Sequence, residues 1–174
     1  MIEIDIPYRP IIHALYAMIN QLQDRRQLMG ALVGIMHGAV EDNFQDGGRP
    51  RWVDLHPGTK AARAKQGTWP GQILIRSGQL VASLQDSFDN DHATVSTNKA
   101  YAAMLHFGGQ TRPHVIRPRF KRALAFGGVV VRQVNHPGSK IPARPFMTLT
   151  EGDAAELVHE AQQFILGRTQ LKQP

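Results

Sequence analysis

Residues 112–140 read RPHVIRPRFKRALAFGGVVVRQVNHPGSK, a basic segment in which two runs suited to β-strands flank a pair of glycines. The first run, from Phe120 to Phe126, alternates between two faces, and the second, from Val129 to Val134, is rich in β-branched residues. Gly127 and Gly128 can adopt the positive φ values of a type I′ turn, so the pattern predicts a two-stranded hairpin. We therefore expect a long basic β-hairpin arm over residues 112–140.

This arm lies within a longer stretch, from His92 to Thr150, that contains no acidic residue. Cations without nearby carboxylates create a strong positive field, which indicates a polyanion or an acidic protein surface as the partner. The candidate contact residues of the arm are Arg112, Arg117, Arg119, Lys121, Arg122, Arg132 and Lys140.

Two kinds of partner fit these cations. Arginines on a stiff hairpin can contact DNA phosphates with little sequence preference. They can equally contact acidic faces of neighbouring subunits and fix their orientation during assembly, which is the interpretation we favour. Serine substitutions at Arg117, Arg119, Lys121 and Arg122 are then expected to abolish assembly.

The length of 174 residues predicts a single domain spanning 1–174, and the formal charge of +6 agrees with an anionic or acidic partner. There is no cysteine, which excludes disulfides and thiolate chemistry within the given sequence. No apolar run approaches the length of a membrane span, and we expect neither a signal peptide nor a membrane partner.

Apolar residues recur at helical spacing near both ends of the chain. One such run extends from Pro10 to Leu22, a second from Met29 to Phe44 before Gly47-Gly48, and a third follows Thr150. Thr59 is a candidate cap for a further short helix, and Asp153 stands three residues after Thr150 as in a capping box. Together with the short strands between them, these runs predict an α+β fold in which N-terminal and C-terminal helices pack on a small, mainly antiparallel sheet, with the arm extending away.

Patterns of catalytic or metal-binding residues are missing from the sequence. The eight histidines include no His-x-x-x-His pair, and no phosphate-binding glycine loop is present. The acidic residues around Asp86, Asp89 and Asp91 suit a solvated hairpin tip better than a catalytic carboxylate pair. We therefore expect no catalytic residue, no metal site and no cofactor, and a protein that is not an enzyme.

Several short motifs occur in a definite order along the chain. They are Trp52, then Ser77-Gly78 with Leu80, then Tyr101 with His106 and Gly108, then His136-Pro137-Gly138, and finally Arg144-Pro145-Phe146. This order resembles the phage virion morphogenesis and tail completion family over roughly residues 11–165. The basic hairpin ending in His-Pro-Gly is also similar to that of tail-completion and neck proteins from long-tailed phages.

The resemblance implies a structural virion protein that completes the neck, or head-proximal tail end, so that head and tail join. It implies a homo-oligomeric ring, with six copies matching tail symmetry, located at the neck and present in the host cytoplasm during assembly. The implied partners are further copies of itself, the head-tail connector, tail terminator or tail tube proteins, and packaged DNA. The alternatives are a capsid assembly factor and a non-specific DNA-binding protein at the portal exit.

Overall fold

The described residues form five α-helices and eight short strands, which confirms the predicted α+β class. The computed structural model describes residues 8–120, 122–126 and 129–167. The helices are α1 Tyr8–Gln23, α2 Arg26–Asp46, α3 Pro57–Lys65, α4 Ala102–Phe107 and α5 Glu151–Ile165. The strands are β1 Leu84–Phe88, β2 Ala93–Thr97, β3 Gly109–Gln110, β4 His114–Ile116, β5 Leu124–Phe126, β6 Val129–Val131, β7 Val134–His136 and β8 Lys140–Ile141.

The helix ends follow local chemistry, in part as predicted. Gly47 terminates α2 with a φ of 70°, and its N–H donates to the carbonyl of Asn43. Thr150 and Asp153 form the predicted capping box at the start of α5. Thr59 does not cap α3, because the helix starts two residues earlier and the His56 side chain accepts the Gly58 N–H instead.

Helix α2 is the central element of the packing. One side of α2 packs on the antiparallel β1–β2 hairpin and another packs on α5, so the expected association of N-terminal and C-terminal helices with a strand pair is present. Its buried aromatic residue, Phe44, lies in a core with Val40, Trp52 and Phe146. Leu80 and Ala102 complete this core from the segments on either side of the hairpin.

Helix α1 does not take part in this core. It is separated from α2 by Asp24 and Arg25, and its main contact is with α5. The apolar residues that the sequence predicts to face the core, among them Leu15 and Ile19, are about half exposed. Helix α2 already packs on both α5 and the β1–β2 hairpin, and the apolar face of α1 lies outside the core.

In the part of the chain that the structure describes, the strands occur as four two-stranded antiparallel pairs and not as one sheet. Three of these pairs are nested: β3 pairs with β8, β4 with β7, and β5 with β6. The chain from residue 109 therefore runs out and returns beside itself to residue 141. We call this nested set, over residues 109–120, 122–126 and 129–141, the basic ladder.

The pairing predicted between the two halves of the arm is present but shorter than expected. Leu124 pairs with Val131 and Phe126 with Val129, whereas Arg119 and Phe120 lie outside any strand. The predicted Gly127-Gly128 turn and Lys121 lie outside the described residues. That the ladder extends away from the body as one long arm stays a prediction.

Candidate interaction surfaces

Arg144 is buried and connects three segments of the chain. Its Nε donates to the carbonyl of Val53 at 3.0 Å, its Nη2 to the carbonyl of Asp54 at 3.3 Å, and its backbone N–H to the carbonyl of Leu105 at 2.9 Å. Burial lowers the pKa of the Arg144 guanidinium from its ordinary value, while the nearby Asp54 carboxylate opposes that change. With backbone carbonyls as its described hydrogen-bond acceptors, Arg144 acts as an internal brace.

Pro145 and Phe146 continue the same arrangement into the core. The indole Nε1 of Trp52 donates to the Pro145 carbonyl at 3.1 Å, and the Asn43 amide donates to the Phe146 carbonyl at 2.9 Å. The Phe146 ring is fully buried and lies 5.2 Å from the Phe44 ring, which meets Trp52 edge-on at 5.9 Å. The Arg-Pro-Phe motif is thus built into the core by hydrogen bonds and aromatic packing.

His106 and Gly108 close the other side of this core. The His106 ring meets Phe146 edge-on at 5.3 Å, and its Nδ1 accepts the Met147 N–H at 3.4 Å. Burial lowers the pKa of His106, which favours the neutral ring. Gly108 has a φ of 72°, and a Cβ there would lie 2.7 Å from the Ala143 nitrogen, so only glycine fits. We call the group formed by Trp52, His106, Gly108, Arg144, Pro145 and Phe146 the clasp.

A polar network that the motifs did not reveal supports the clasp. Arg49 donates to the Asn43 side-chain oxygen at 2.9 Å and to both carboxylate oxygens of Asp153 at 3.1 and 3.0 Å. Burial raises the pKa of Asp153, but hydrogen bonds from Thr150 and Arg49 outweigh it and hold that pKa below its usual range. The polar Asn43 beside the apolar Phe44 is the one sequence signal that could have indicated this network.

The remaining motif residues lie in two other places. Leu80 is buried in the core near the clasp, whereas Ser77 and Tyr101 are exposed. Ser77 does not cap a helix: a short 3₁₀ turn at Val81–Ser83 follows it, and that turn has no side-chain cap. Gly78 has a φ of 70° and forms part of the turn before it.

The His136-Pro137-Gly138 motif lies at the base of the basic ladder and begins with the last residue of β7. The Gly138 N–H donates to Nδ1 of His136 at 3.0 Å, and a Cβ on Gly138 would lie 2.1 Å from the Thr111 carbonyl oxygen. The His136 ring stacks on its cross-strand partner His114, with ring centroids 5.1 Å apart. These contacts fix the geometry at the start of the ladder.

The ladder places the predicted contact cations at the surface. The described ones are all exposed, and none forms an ion pair with another described residue. They are Arg112, Arg117, Arg119, Arg122, Arg132 and Lys140. Arg119 lies 5.5 Å from the centroid of the Phe120 ring, which is 91% exposed. The ladder therefore presents an accessible positive surface with an aromatic group.

The described ranges hold no group of three or more His, Asp or Glu side chains arranged to bind a metal ion. A surface cavity of about 620 Å³ is lined by residues of both charges, including Arg51, Asp54, Lys60 and Trp69. Lys60 pairs with Asp54 there and lies over the Trp69 ring, so its charge is already engaged. Among the helices of the described ranges, none combines the length and apolarity needed to cross a membrane.

Comparison with known proteins agrees with the class that the motifs and fold define. The model of the phage virion morphogenesis family matches residues 6–165, and the chain belongs to this family. It is 33% identical over 165 residues to Mu-like prophage FluMu G protein 2 of Haemophilus influenzae, an alignment that covers 94% of this chain and 96% of that protein. No solved structure matches the chain.

Proposed function

We propose that this protein completes the neck, or head-proximal tail end, of a tailed phage as a homo-oligomeric ring, so that head and tail can join. Membership of the virion morphogenesis family supports a role in building the particle. The observation that carries the proposal further is the separation of charge: the basic ladder is acid-free and its described cations are exposed, whereas exposed acidic residues lie outside it, several of them on α2 and α5. Such a chain can bind a copy of itself through two different surfaces.

The acidic partner surface is available on the same protein. Asp46 at the end of α2 and Glu151 and Glu156 on α5 are exposed and have no described ion-pair partner. Contacts between the ladder of one copy and the acidic helices of the next are heterologous, and heterologous contacts close into rings when the rotation permits. Charge complementarity of this kind fixes orientation and excludes wrong pairings.

In this proposal one face of a ring of six copies contacts the head-tail connector, and the other contacts the tail terminator or tail tube. The protein works by geometry, as a set of contacts that presents two different faces, and it carries out no chemical reaction. Its place is the neck of the virion, after assembly in the host cytoplasm.

Electron microscopy of lysates tests the proposal most directly. In a phage whose copy of this gene is disrupted, we expect full heads and free tails side by side, and few joined particles. Supplying the wild-type gene from a plasmid should restore joined virions. Intact virions from the disrupted phage would refute the structural role.

A role in capsid assembly is the first alternative, and the same micrographs distinguish it. Missing or misshapen heads would place the protein in head assembly instead of joining. The family name covers particle assembly in general and is equally consistent with that outcome.

Binding of packaged DNA is the second alternative, and the exposed cations beside Phe120 favour it specifically. Cations contact phosphates, and an exposed aromatic ring can stack on an unpaired base. Binding to phosphates would weaken steeply with salt, because each neutralised phosphate releases counterions. A DNA affinity that falls linearly on a log–log plot against salt, and that the ladder substitutions reduce, would support this alternative.

A further inference from the structure

Helix α1 carries an apolar stripe that the described residues of the chain leave exposed. Its large side chains are 38–62% exposed. They are Ile12, Leu15, Tyr16, Met18, Ile19 and Leu22. We call them the α1 stripe; together they form an apolar patch on the order of several hundred Å², which is the size at which exposed patches mark interaction sites.

The spacing of the α1 stripe suits a second helix. Ile12, Leu15, Ile19 and Leu22 recur at alternating intervals of three and four residues, as on the contact side of packed helices. From residue 10 to residue 23 the helix contains no acidic residue, lysine or arginine. A partner helix can therefore approach along the whole stripe without burying a formal charge.

Helix α5 has an exposed apolar face whose side chains near the start of the helix are smaller than those of the α1 stripe. Ala154, Ala155 and Val158 are small and exposed, and Ile165 and Leu166 extend this face to the helix end. Helical geometry places Ala154, Val158 and Ile165 on one side of α5, away from the buried Phe164. This α5 face offers shallow holes into which the larger α1 side chains can fit.

The two faces do not cover each other within one chain, although α1 contacts α5. Gln21 donates its side-chain N–H to the carbonyl of Phe164, and it projects from the side of α1 roughly opposite the stripe. Leu15 and Val158 both remain more than half exposed. Among the described residues, neither face is covered, so each is available to another copy of the chain.

We propose that the α1 stripe of one copy packs against the α5 face of the next copy. One contact then covers both faces, and along Ala154, Ala155 and Val158 it joins large Ile and Leu side chains to smaller ones. Charge agrees with this pairing, because Arg9 lies at the start of α1, where no acidic residue occurs, and exposed Glu151 and Glu156 lie on α5. The contact is heterologous, so this inference rests on the proposed ring and names one of its interfaces.

Disulfide trapping tests the contact in the full-length protein, since the natural sequence has no cysteine. Two single variants, Leu15→Cys and Val158→Cys, are purified separately, mixed and mildly oxidised. We expect the mixture to give cross-linked dimers about tenfold faster than either variant alone, because a disulfide needs Cβ atoms within about 4 Å. The control replaces Leu15→Cys with Ala17→Cys, which lies on the opposite side of α1 and should cross-link slowly.

Two results would overturn the proposal. Rapid cross-linking of Leu15→Cys alone would show that α1 meets α1 of another copy in a two-fold contact. Equal rates for the Leu15 and Ala17 variants would show that the stripe does not define the contact.

Sedimentation velocity gives a second measurement with a matched pair of variants. Leu15→Glu with Ile19→Glu should shift the protein towards monomer, and His13→Glu with Ala17→Glu, which adds the same charge on the other side of α1, should leave association unchanged. Both should keep the wild-type thermal unfolding, because all four side chains are exposed. Association that both double variants retain would contradict the contact.

The outcome can be separated from that of the proposed function. If trapping fails while phage lacking the gene still accumulates free heads and tails, the joining role stands and the α1 contact is wrong. If trapping succeeds while such phage forms normal virions, the contact stands and the joining role is wrong.

Discussion

The clasp and the basic ladder use arginine in opposite ways. In the clasp, Arg144 is buried and donates to backbone carbonyls, and the neighbouring Arg49 engages Asn43 and Asp153. In the ladder, residues such as Arg117 and Arg122 are exposed and form no ion pair among the described residues. The arginines of the clasp and its polar network therefore hold the fold together, whereas the arginines of the ladder are accessible to a partner.

The sharpest test of this contrast replaces one phenylalanine in each region. Phe146→Ala removes a fully buried ring from the clasp and should lower the free energy of unfolding by about 3–5 kcal/mol, through lost burial and the cavity left behind. Phe120→Ala removes a ring that is 91% exposed and should change the free energy of unfolding by less than about 0.5 kcal/mol. Urea unfolding measures both, and equal effects would remove the distinction between the two regions.

A smaller effect is expected when the buried guanidinium is removed and its volume is retained. Arg144→Met leaves the carbonyls of Val53 and Asp54 without their donor and should cost about 2 kcal/mol, since hydrogen bonds to a charged group contribute about 1.5–3 kcal/mol. The matched change in the ladder is Arg132→Met, which should alter stability little because this residue is exposed. Thermal and urea unfolding of the two variants should therefore differ, and an unfolding curve of Arg144→Met that overlays the wild type would mean that Arg144 is not a brace.

The polar network beside the clasp predicts a dependence of stability on pH. The folded state holds the pKa of Asp153 below its ordinary value of 3.8, so the stabilisation is present above that pH and is lost as pH falls through the lower folded value. Asp153→Asn should lower the free energy of unfolding by about 1–2 kcal/mol at neutral pH. The difference from wild type should shrink as pH falls below about 4.

Urea unfolding of both proteins across this pH range measures the effect. Glu151→Gln serves as the control, because Glu151 is exposed in the same helical turn and has no described ion pair. A difference between wild type and Asp153→Asn that stays constant down to the lowest pH would contradict the role of the Asp153 carboxylate.

Local patterns predicted much of the fold. Spacing of apolar residues placed α1, α2 and α5, and Thr150 with Asp153 predicted the capping box that the structure contains. The β-branched run after Phe126 predicted the pairing of β5 with β6. These features depend on residues close together in sequence, which is why a single chain reveals them.

Features that depend on distant residues were not predictable in the same way. The amphipathic pattern of α1 shows that one face avoids water, but it does not show whether that face meets the chain's own core or another copy. Arg49 meets Asn43 and Asp153 only because α2 and α5 pack together, and Asp153 lies 104 positions away in the chain. Likewise, the charge pattern identified the ladder cations as exposed but not the surface that they contact.

Substitutions of the ladder cations are expected to have the smallest effect on stability and a large effect on assembly. The triple variant Arg117→Ser, Arg119→Ser and Arg122→Ser should unfold within about 0.5 kcal/mol of wild type, because these exposed cations form no described ion pair. When it is supplied to a phage lacking the gene, we expect free heads and tails to persist.

The control is Arg51→Ser, Lys65→Ser and Arg76→Ser, which removes the same charge from exposed positions outside the ladder and should restore joined virions. If both triple variants restored joining equally, the ladder cations would not be required for joining. If both failed while remaining folded, the positive charge of the whole surface would be required, and the contrast between ladder and body would have to be abandoned.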